Sequence, residues 1–561
     1  MADPTPDSEL PHLHAGGPVG SLGTAAGWID RNILDLPRQM RLDYLPPLMV
    51  YVAAGVSGLT GIVGTFFVKE YLGLSAEFLA ALAFWATLPW SIKLPLGHLV
   101  DLIWRRKSAL VYLGAALIAA SLLIMVELLN SRAAMEGVMP VSAWYVLSAL
   151  LAPIGYVLQD VVADAMTVEA VPRVDADGQA IAPQRLHLMH TTMQTLGRVA
   201  IVGGGVLVSL VNVYMFAGVE GLGQAEKAAV YTQIYTLALV IPAVSVAGVA
   251  LAAVLRRRRG RQLLRKGFSR AEVEALTRAQ TERPHANAWI LGGGLAFVVV
   301  SLTVGLADVP LGQELLFALS LAIVLFLMRR LMRELEPEAR GVLFGTAVLV
   351  FVFRAMPGPG QGSTWWMIDV LGFDQQFLSR LSLIASVMTL AGLFLFRRFM
   401  AERSMAYIVG FLTLTTTILA LPILGMYYGL HEWTASLTGG VVDARFIALV
   451  DTALESPLGQ IAMVPMLAWI ANSAPASLKA TFFAVMASFT NLALALAQLG
   501  TKYLNQVFLI TREVKDSASG LISVPADYGE LGVLLIATTT MGLALPFATI
   551  ALVRALGWRS A

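Results

Sequence analysis

The chain of 561 residues contains no cysteine. That absence excludes disulfides, thiolate metal sites and cysteine nucleophiles together, and leaves the redox compartment open. Charge is scarce as well. Asp, Glu, Lys and Arg make up 14% of the residues against 57% hydrophobic, and the mean hydropathy is +0.72. A soluble domain carries about 45–50% apolar residues, so most of this chain must meet lipid. No nucleophile–base set, metal cluster or phosphate loop stands in the sequence, so neither an enzyme nor a cofactor is expected. With 39 basic and 37 acidic side chains the net charge of +2 identifies no partner, and nucleic acid is not expected to be one.

What is present is a succession of apolar runs. A spanning helix needs about 20 mostly apolar residues, and such runs are expected at 46–68, 77–100, 108–129, 141–166, 187–211 and 230–255, then at 287–307 and 312–328, then at 341–359, 376–396, 405–428, 444–470, 480–507 and 531–555. The expected architecture is therefore an all-α membrane protein of about fourteen spans: an N-terminal bundle at 46–255, a basic loop at 256–286, an extra hairpin at 287–330 and a C-terminal bundle at 331–561. Residues 1–45 are polar, rich in Pro and Gly, and lack the short apolar core of a signal peptide. They are expected to form a disordered tail with an interfacial end.

Lys and Arg in short loops stay on the cytoplasmic side. Arg105-Arg106-Lys107, the run from Arg256 to Lys266, Arg329-Arg330 with Arg333, and Arg397-Arg398 with Arg403 each follow an even-numbered span. Both termini are thus expected in the cytoplasm, with the chain in the cell (inner) membrane.

An internal repeat sharpens the architecture. Tyr71-Leu-Gly-Leu-Ser-Ala-Glu-Phe-Leu-Ala-Ala-Leu82 aligns without gaps on Val370-Leu-Gly-Phe-Asp-Gln-Gln-Phe-Leu-Ser-Arg-Leu381. Each segment joins the first two helices of its half, and an even number of spans separates them. The repeat is therefore parallel, as in carriers whose two bundles enclose a solute site near the bilayer midplane. Gly97-His-Leu-Val-Asp-Leu-Ile-Trp-Arg-Arg-Lys107 resembles the loop between helices 2 and 3 of the major facilitator superfamily, which implies gate roles for Gly97, Asp101, Arg105 and Arg106.

Several ordered segments resemble the folate-biopterin transporter family within that superfamily. They are Gly55-Val-Ser-Gly-Leu59, Lys69-Glu-Tyr-Leu-Gly-Leu74, Leu88-Pro-Trp-Ser-Ile-Lys93, Asp160-Val-Val-Ala-Asp-Ala-Met-Thr-Val-Glu169, Pro357-Gly-Pro-Gly360 with Leu371-Gly-Phe373, and Thr481-Phe-Phe-Ala484 with Ser488 and Asn491. The chain departs from the family at Lys479, where an acidic residue is usual, and in its extra hairpin. The resemblance implies two six-helix bundles that rock around a central site, a folate or pterin as the small-molecule solute, and protons as the symported ion.

Charges inside the spans supply candidate sites, because an ionisable group at the bilayer centre costs about 2.5–3.5 kcal/mol and is placed against a partner or a wet cavity. Asp160 and Asp164 lie one helical turn apart, as do Asp451 and Glu455 in the second half. Each pair is a candidate for proton coupling, and the first also for binding a cationic or donor-rich edge; a static charge pair with Lys93 or Arg198 is the alternative. Arg198 and Arg354 suit planar carboxylates because their donors form a fixed fork. For a folate they would take the glutamate carboxylates. Pro357-Gly-Pro-Gly360 cannot continue a helix and is expected as a hinge or site wall, with Trp365 following; an interfacial aromatic belt accounts for Trp365 equally. Gly203-Gly-Gly205 is expected to be a close-packing patch. Other readings of the whole chain remain open: a carrier of a different solute, such as a peptidoglycan fragment, or a non-transporting assembly factor for pigment–protein complexes.

Overall fold

A computed structural model of the chain describes residues 38, 40–72, 74–91, 93–172, 181–277, 288–306, 309–333, 337–396, 399, 403–459, 461, 479–515 and 522–558. The expected tail, up to residue 37, lies outside them. Apart from a short antiparallel hairpin, β1 (Val514–Lys515) with β2 (Ile522–Val524), the described elements are helical.

The first half comprises α1 (Leu45–Val56), α2 (Gly61–Tyr71), α3 (Ala76–Ser91), α4 (Lys93–Leu102), α5 (Ser108–Asn130), α6 (Val141–Ala170), α7 (Pro183–Met215), α8 (Gln224–Ala238) and α9 (Val240–Arg265). After α10 (Arg270–Thr277) comes the extra pair, α11 (Ala288–Leu306) and α12 (Gly312–Met332). The second half holds α13 (Pro337–Arg354), α14 (Gln361–Asp369), α15 (Gln375–Leu395), α16 (Met405–Tyr427), α17 (Ala444–Glu455), α18 (Lys479–Val507) and α19 (Leu531–Ala555).

Among the described residues nine helices are long and apolar enough to cross a membrane, fewer than the fourteen runs expected from hydropathy. Several of the other expected spans are shorter or only partly described. The second is described as α3 and α4 with residue 92 outside the described residues, the span expected at 341–359 ends at Arg354, and residues 462–470 of the run at 444–470 lie outside the described residues.

The repeat has a local physical basis. Ser75 Oγ accepts from the Phe78 amide at 3.1 Å and Asp374 Oδ1 accepts from the Phe377 amide at 2.7 Å, so aligned residues cap α3 and α15. Capping satisfies orphan amides at a helix start and fixes where the chain re-enters the bundle. Gly372 of the second copy has φ +66°, a left-handed conformation that glycine adopts without strain. The first helix of each half is also broken, by a 3₁₀ segment over Ser57–Thr60 and by the extended 356–360 stretch.

Two seams join the halves. Along one, α7 packs on α15 and the Ser209 and Ser382 hydroxyls lie 2.8 Å apart. Along the other, α3 packs on α18. The extra pair leans on this second seam. Phe297 and Leu316 share one core with Phe84 and Leu88 of the first half and Leu492 and Leu499 of the second. Gln313 donates to the Ala81 carbonyl at 3.1 Å, while Glu314 accepts from Lys502 at 3.2 Å and Tyr503 at 2.5 Å. The hairpin that separates the halves in sequence thus touches both.

Candidate functional site

α6 presents Asp160 and Asp164 one turn apart on one face, as the helical period requires. Lys93, the first residue of α4, reaches both, with Nζ 2.6 Å from Asp160 Oδ2 and 2.7 Å from Asp164 Oδ2. The Tyr51 hydroxyl, from α1, donates to Asp164 Oδ1 at 2.7 Å. One ammonium is therefore shared by two carboxylates, one of which has a second donor. Asp164 is nearly half exposed, at 47%, and Asp160 is 15% exposed, so water reaches the cluster from the Asp164 side. Of the open pairing choices for these carboxylates, Lys93 is the direct partner. Tyr51 gave no sign in the sequence, where a tyrosine in an apolar run reads as core or interface.

Arg198, on α7, lies within electrostatic reach of Asp160, Tyr51 and, across the halves, Arg354. Arg354 closes α13, and its buried Nε has no hydrogen-bond partner among the described residues. Two like charges from opposite halves thus lie within electrostatic reach of one another. Lys93, Asp160, Asp164, Arg198 and Arg354 form one constellation.

The remaining candidates stand apart. Trp365 is 1% exposed, its indole nitrogen has no hydrogen-bond partner among the described residues, and the Arg512 guanidinium sits 5.3 Å from its ring centre. Asp451 is buried on α17 with Oδ1 unpartnered among the described residues, whereas Glu455 is exposed. At the expected gate Arg106 is exposed, and a Cβ on Gly97 would meet nothing within 4 Å; the side chains of Asp101 and Arg105 lie outside the described residues. Next to them Lys107 pairs with Glu169 at 2.5 Å and stacks 3.6 Å over the Trp104 ring. The break at 357–360 is held by α18: the Gly358 amide donates to Thr501 Oγ1 at 3.1 Å and Asn505 Nδ2 donates to the Pro359 carbonyl at 3.3 Å.

Two helical halves around a charged centre, with nine long apolar helices among the described residues, have the architecture of a membrane transporter of the major facilitator kind. The chain resembles the solved POT family transporter in complex with a thioalcohol-conjugated peptide, at TM-score 0.58 and 12% identity over 92% of this chain and 96% of the other. It also resembles the peptide transporter POT in complex with sulfate, at TM-score 0.58 and 15% identity over 92% and 94%. Identities this low establish the fold alone. The chain belongs to the BT1 family, whose model matches residues 54–555. It is 24% identical over 455 residues, 80% of this chain and 72% of the relative, to a folate-biopterin transporter of Synechocystis sp. (strain ATCC 27184 / PCC 6803 / Kazusa).

Proposed function

We propose that the chain carries a folate or pterin across the cell membrane by alternating access, coupled to protons. The observation that carries the reading is that Arg198 and Arg354, one from each half, lie within electrostatic reach of one another beside the Asp160–Asp164–Lys93 cluster. Two half-buried guanidiniums within electrostatic reach of one another favour an anion near both, and their planar forks fit carboxylates. A folate brings carboxylates at one end and a donor-rich ring at the other. The folate-biopterin transporter from Synechocystis sp. supports the same solute class.

Lys93, Asp160 and Asp164 form the coupling element in this reading. A proton on Asp164 removes one of the two charges that hold Lys93 and makes the Tyr51 hydroxyl a competitor for the remaining lone pairs. The ammonium then shifts towards Asp160, and the contacts among α1, α4 and α6 change with proton occupancy. Asp451, buried and with Oδ1 unpartnered among the described residues, is a second proton site in the other half, with Glu455 one turn on. Trp365 serves as a wall of the hinge region, and Gly97, Asp101, Arg105 and Arg106 as the gate at the basic end. Both termini then lie in the cytoplasm with that end.

Uptake of labelled folate and biopterin into proteoliposomes, with and without an inward proton gradient, tests the reading. Gradient-stimulated uptake is expected, and Asp164→Asn should retain solute binding while losing the stimulation. Absence of uptake of either compound would contradict the solute assignment, and unchanged pH dependence in Asp164→Asn would remove that residue from coupling.

A further inference from the structure

One turn along α6 from Asp160, on the side away from the charge cluster, Tyr156 borders a cavity of about 330 Å³. Its walls come from the broken first span, α5 and α6, with Tyr235 from α8, and Gln361 reaches it from the second half. Among the described residues no charged side chain lines it. Polar groups are supplied instead by hydroxyls: Ser57, Thr60, Thr65, Tyr145, Tyr156 and Tyr235. The Tyr156 hydroxyl lies beside that of Ser57, and Tyr145 lies within electrostatic reach of Tyr235. Glycines keep the space open. A Cβ on Gly61 would meet nothing within 4 Å, and one on Gly64 would stand 3.8 Å from the Tyr235 hydroxyl.

We infer that this cavity is the subsite for an uncharged, flat, polar ring, the pterin bicycle of the transported solute, an assignment that rests on the function proposed above. A carboxylate or ammonium entering here would lose its water and find no counter-charge, which disfavours either. A hydroxyl both donates and accepts, so a wall of them can satisfy the alternating donors and acceptors along a pterin edge without a fixed charge, and aromatic walls suit a planar ring. Lys93 is committed to Asp160 and Asp164, which leaves those carboxylates to coupling. The anionic tail of a folate would extend the other way, towards Arg198 and Arg354. A pterin without a tail uses the ring subsite alone, which explains how one carrier can accept both.

A thiol is easily introduced because the chain has none. Gly61→Cys is labelled with a polar maleimide in membranes, in the presence of biopterin, folate or p-aminobenzoylglutamate, which lacks the ring. Biopterin and folate should each slow labelling by about tenfold or more at saturation, and p-aminobenzoylglutamate should not. Gly58→Cys, next to the cavity but not on its wall, should be unaffected. Gly61→Leu, which fills the space without meeting backbone, should abolish uptake of both pterins. If the wild-type chain takes up pterins and the Gly61→Cys thiol reacts equally with and without them, or both thiols are protected alike, the subsite is wrong although the solute is right. If the wild-type chain takes up neither, the solute assignment fails and the subsite with it.

Discussion

Lys69 and Asp369 form an ion pair at 2.5 Å that joins the two halves at the end of the bundle carrying the repeated turns. Asp369 also accepts from the Tyr528 hydroxyl at 2.5 Å, and this lock is flanked by Gln375 Nε2 donating to the Tyr231 hydroxyl at 2.9 Å and Gln506 donating to Glu77 at 2.6 Å. In the orientation proposed above, with the basic loops in the cytoplasm, this is the outer end, and these contacts hold it closed. The pair is 18% and 25% exposed, so its loss should cost about 1 kcal/mol, a roughly fivefold shift between the two states. Lys69→Met or Asp369→Asn is expected to raise the rate at which a thiol at Gly61→Cys reacts with a membrane-impermeant maleimide from outside by that factor. An unchanged rate would show that the pair does not hold the outer end shut.

Tyr528 lies in the loop before α19, outside the spans. Burial, with Asp369 accepting its hydrogen bond, pushes its hydroxyl above the ordinary tyrosine value. The neutral phenol is the form the fold favours, so its contribution is complete below the unfolded pKa of about 10 and is lost as pH rises from there through the folded value. Between about pH 9 and about pH 11 the melting temperature of the wild-type protein should fall more than that of Tyr528→Phe. Parallel curves would rule out a role for this phenol in alkaline stability.

Lys93→Met leaves two carboxylates one turn apart with no cation between them. Removing one partner from a buried ion pair costs about 3–5 kcal/mol, but Asp164 is half open to water, so a loss of about 1–3 kcal/mol is expected. Thermal unfolding in detergent should show it. Lys93→Met with Asp160→Asn should recover part of the loss, because the remaining carboxylate can stay in water. If the single variant melts with the wild type, Lys93 is not the counter-charge.

α1 and α7 meet backbone to backbone. A Cβ on Gly204 would stand 2.8 Å from the Gly55 Cα, and one on Gly55 would stand 2.2 Å from the Ile201 carbonyl oxygen. Either Gly55→Ala or Gly204→Ala should therefore force the helices apart and destabilise by about 1–3 kcal/mol. Gly203→Ala, which would meet nothing within 4 Å, is the neutral control. Equal melting temperatures for all three variants would contradict this packing.

The repeat, the parallel halves and the Asp160–Asp164 face were legible because each is written in local spacing: a turn with its cap, or carboxylates one turn apart. The close-packing patch at Gly203–Gly205 was legible in kind, though it is Gly204 that meets Gly55 and Gly205 that meets Ser386, at 3.4 Å, while Gly203 faces open space. Contacts between distant spans were not legible. Hydropathy counts apolar runs but does not order them around a centre, so it could not place Tyr51 on Asp164, bring Arg198 towards Arg354, or lay the extra hairpin across the seam of α3 and α18. Trp365 follows a helix break and is open in the sequence to two readings, a site wall or an interfacial belt; its burial beneath Arg512 depends on a loop with no local signature of that contact.

Counterflow in proteoliposomes isolates solute recognition from any coupling ion, because exchange of labelled for unlabelled solute needs no gradient. Vesicles loaded with unlabelled biopterin and diluted into labelled biopterin should transiently accumulate label above the level of protein-free vesicles, and external folate should suppress that accumulation. Label that merely equilibrates, at the rate seen without protein, would contradict the assignment of this chain as a folate or pterin carrier.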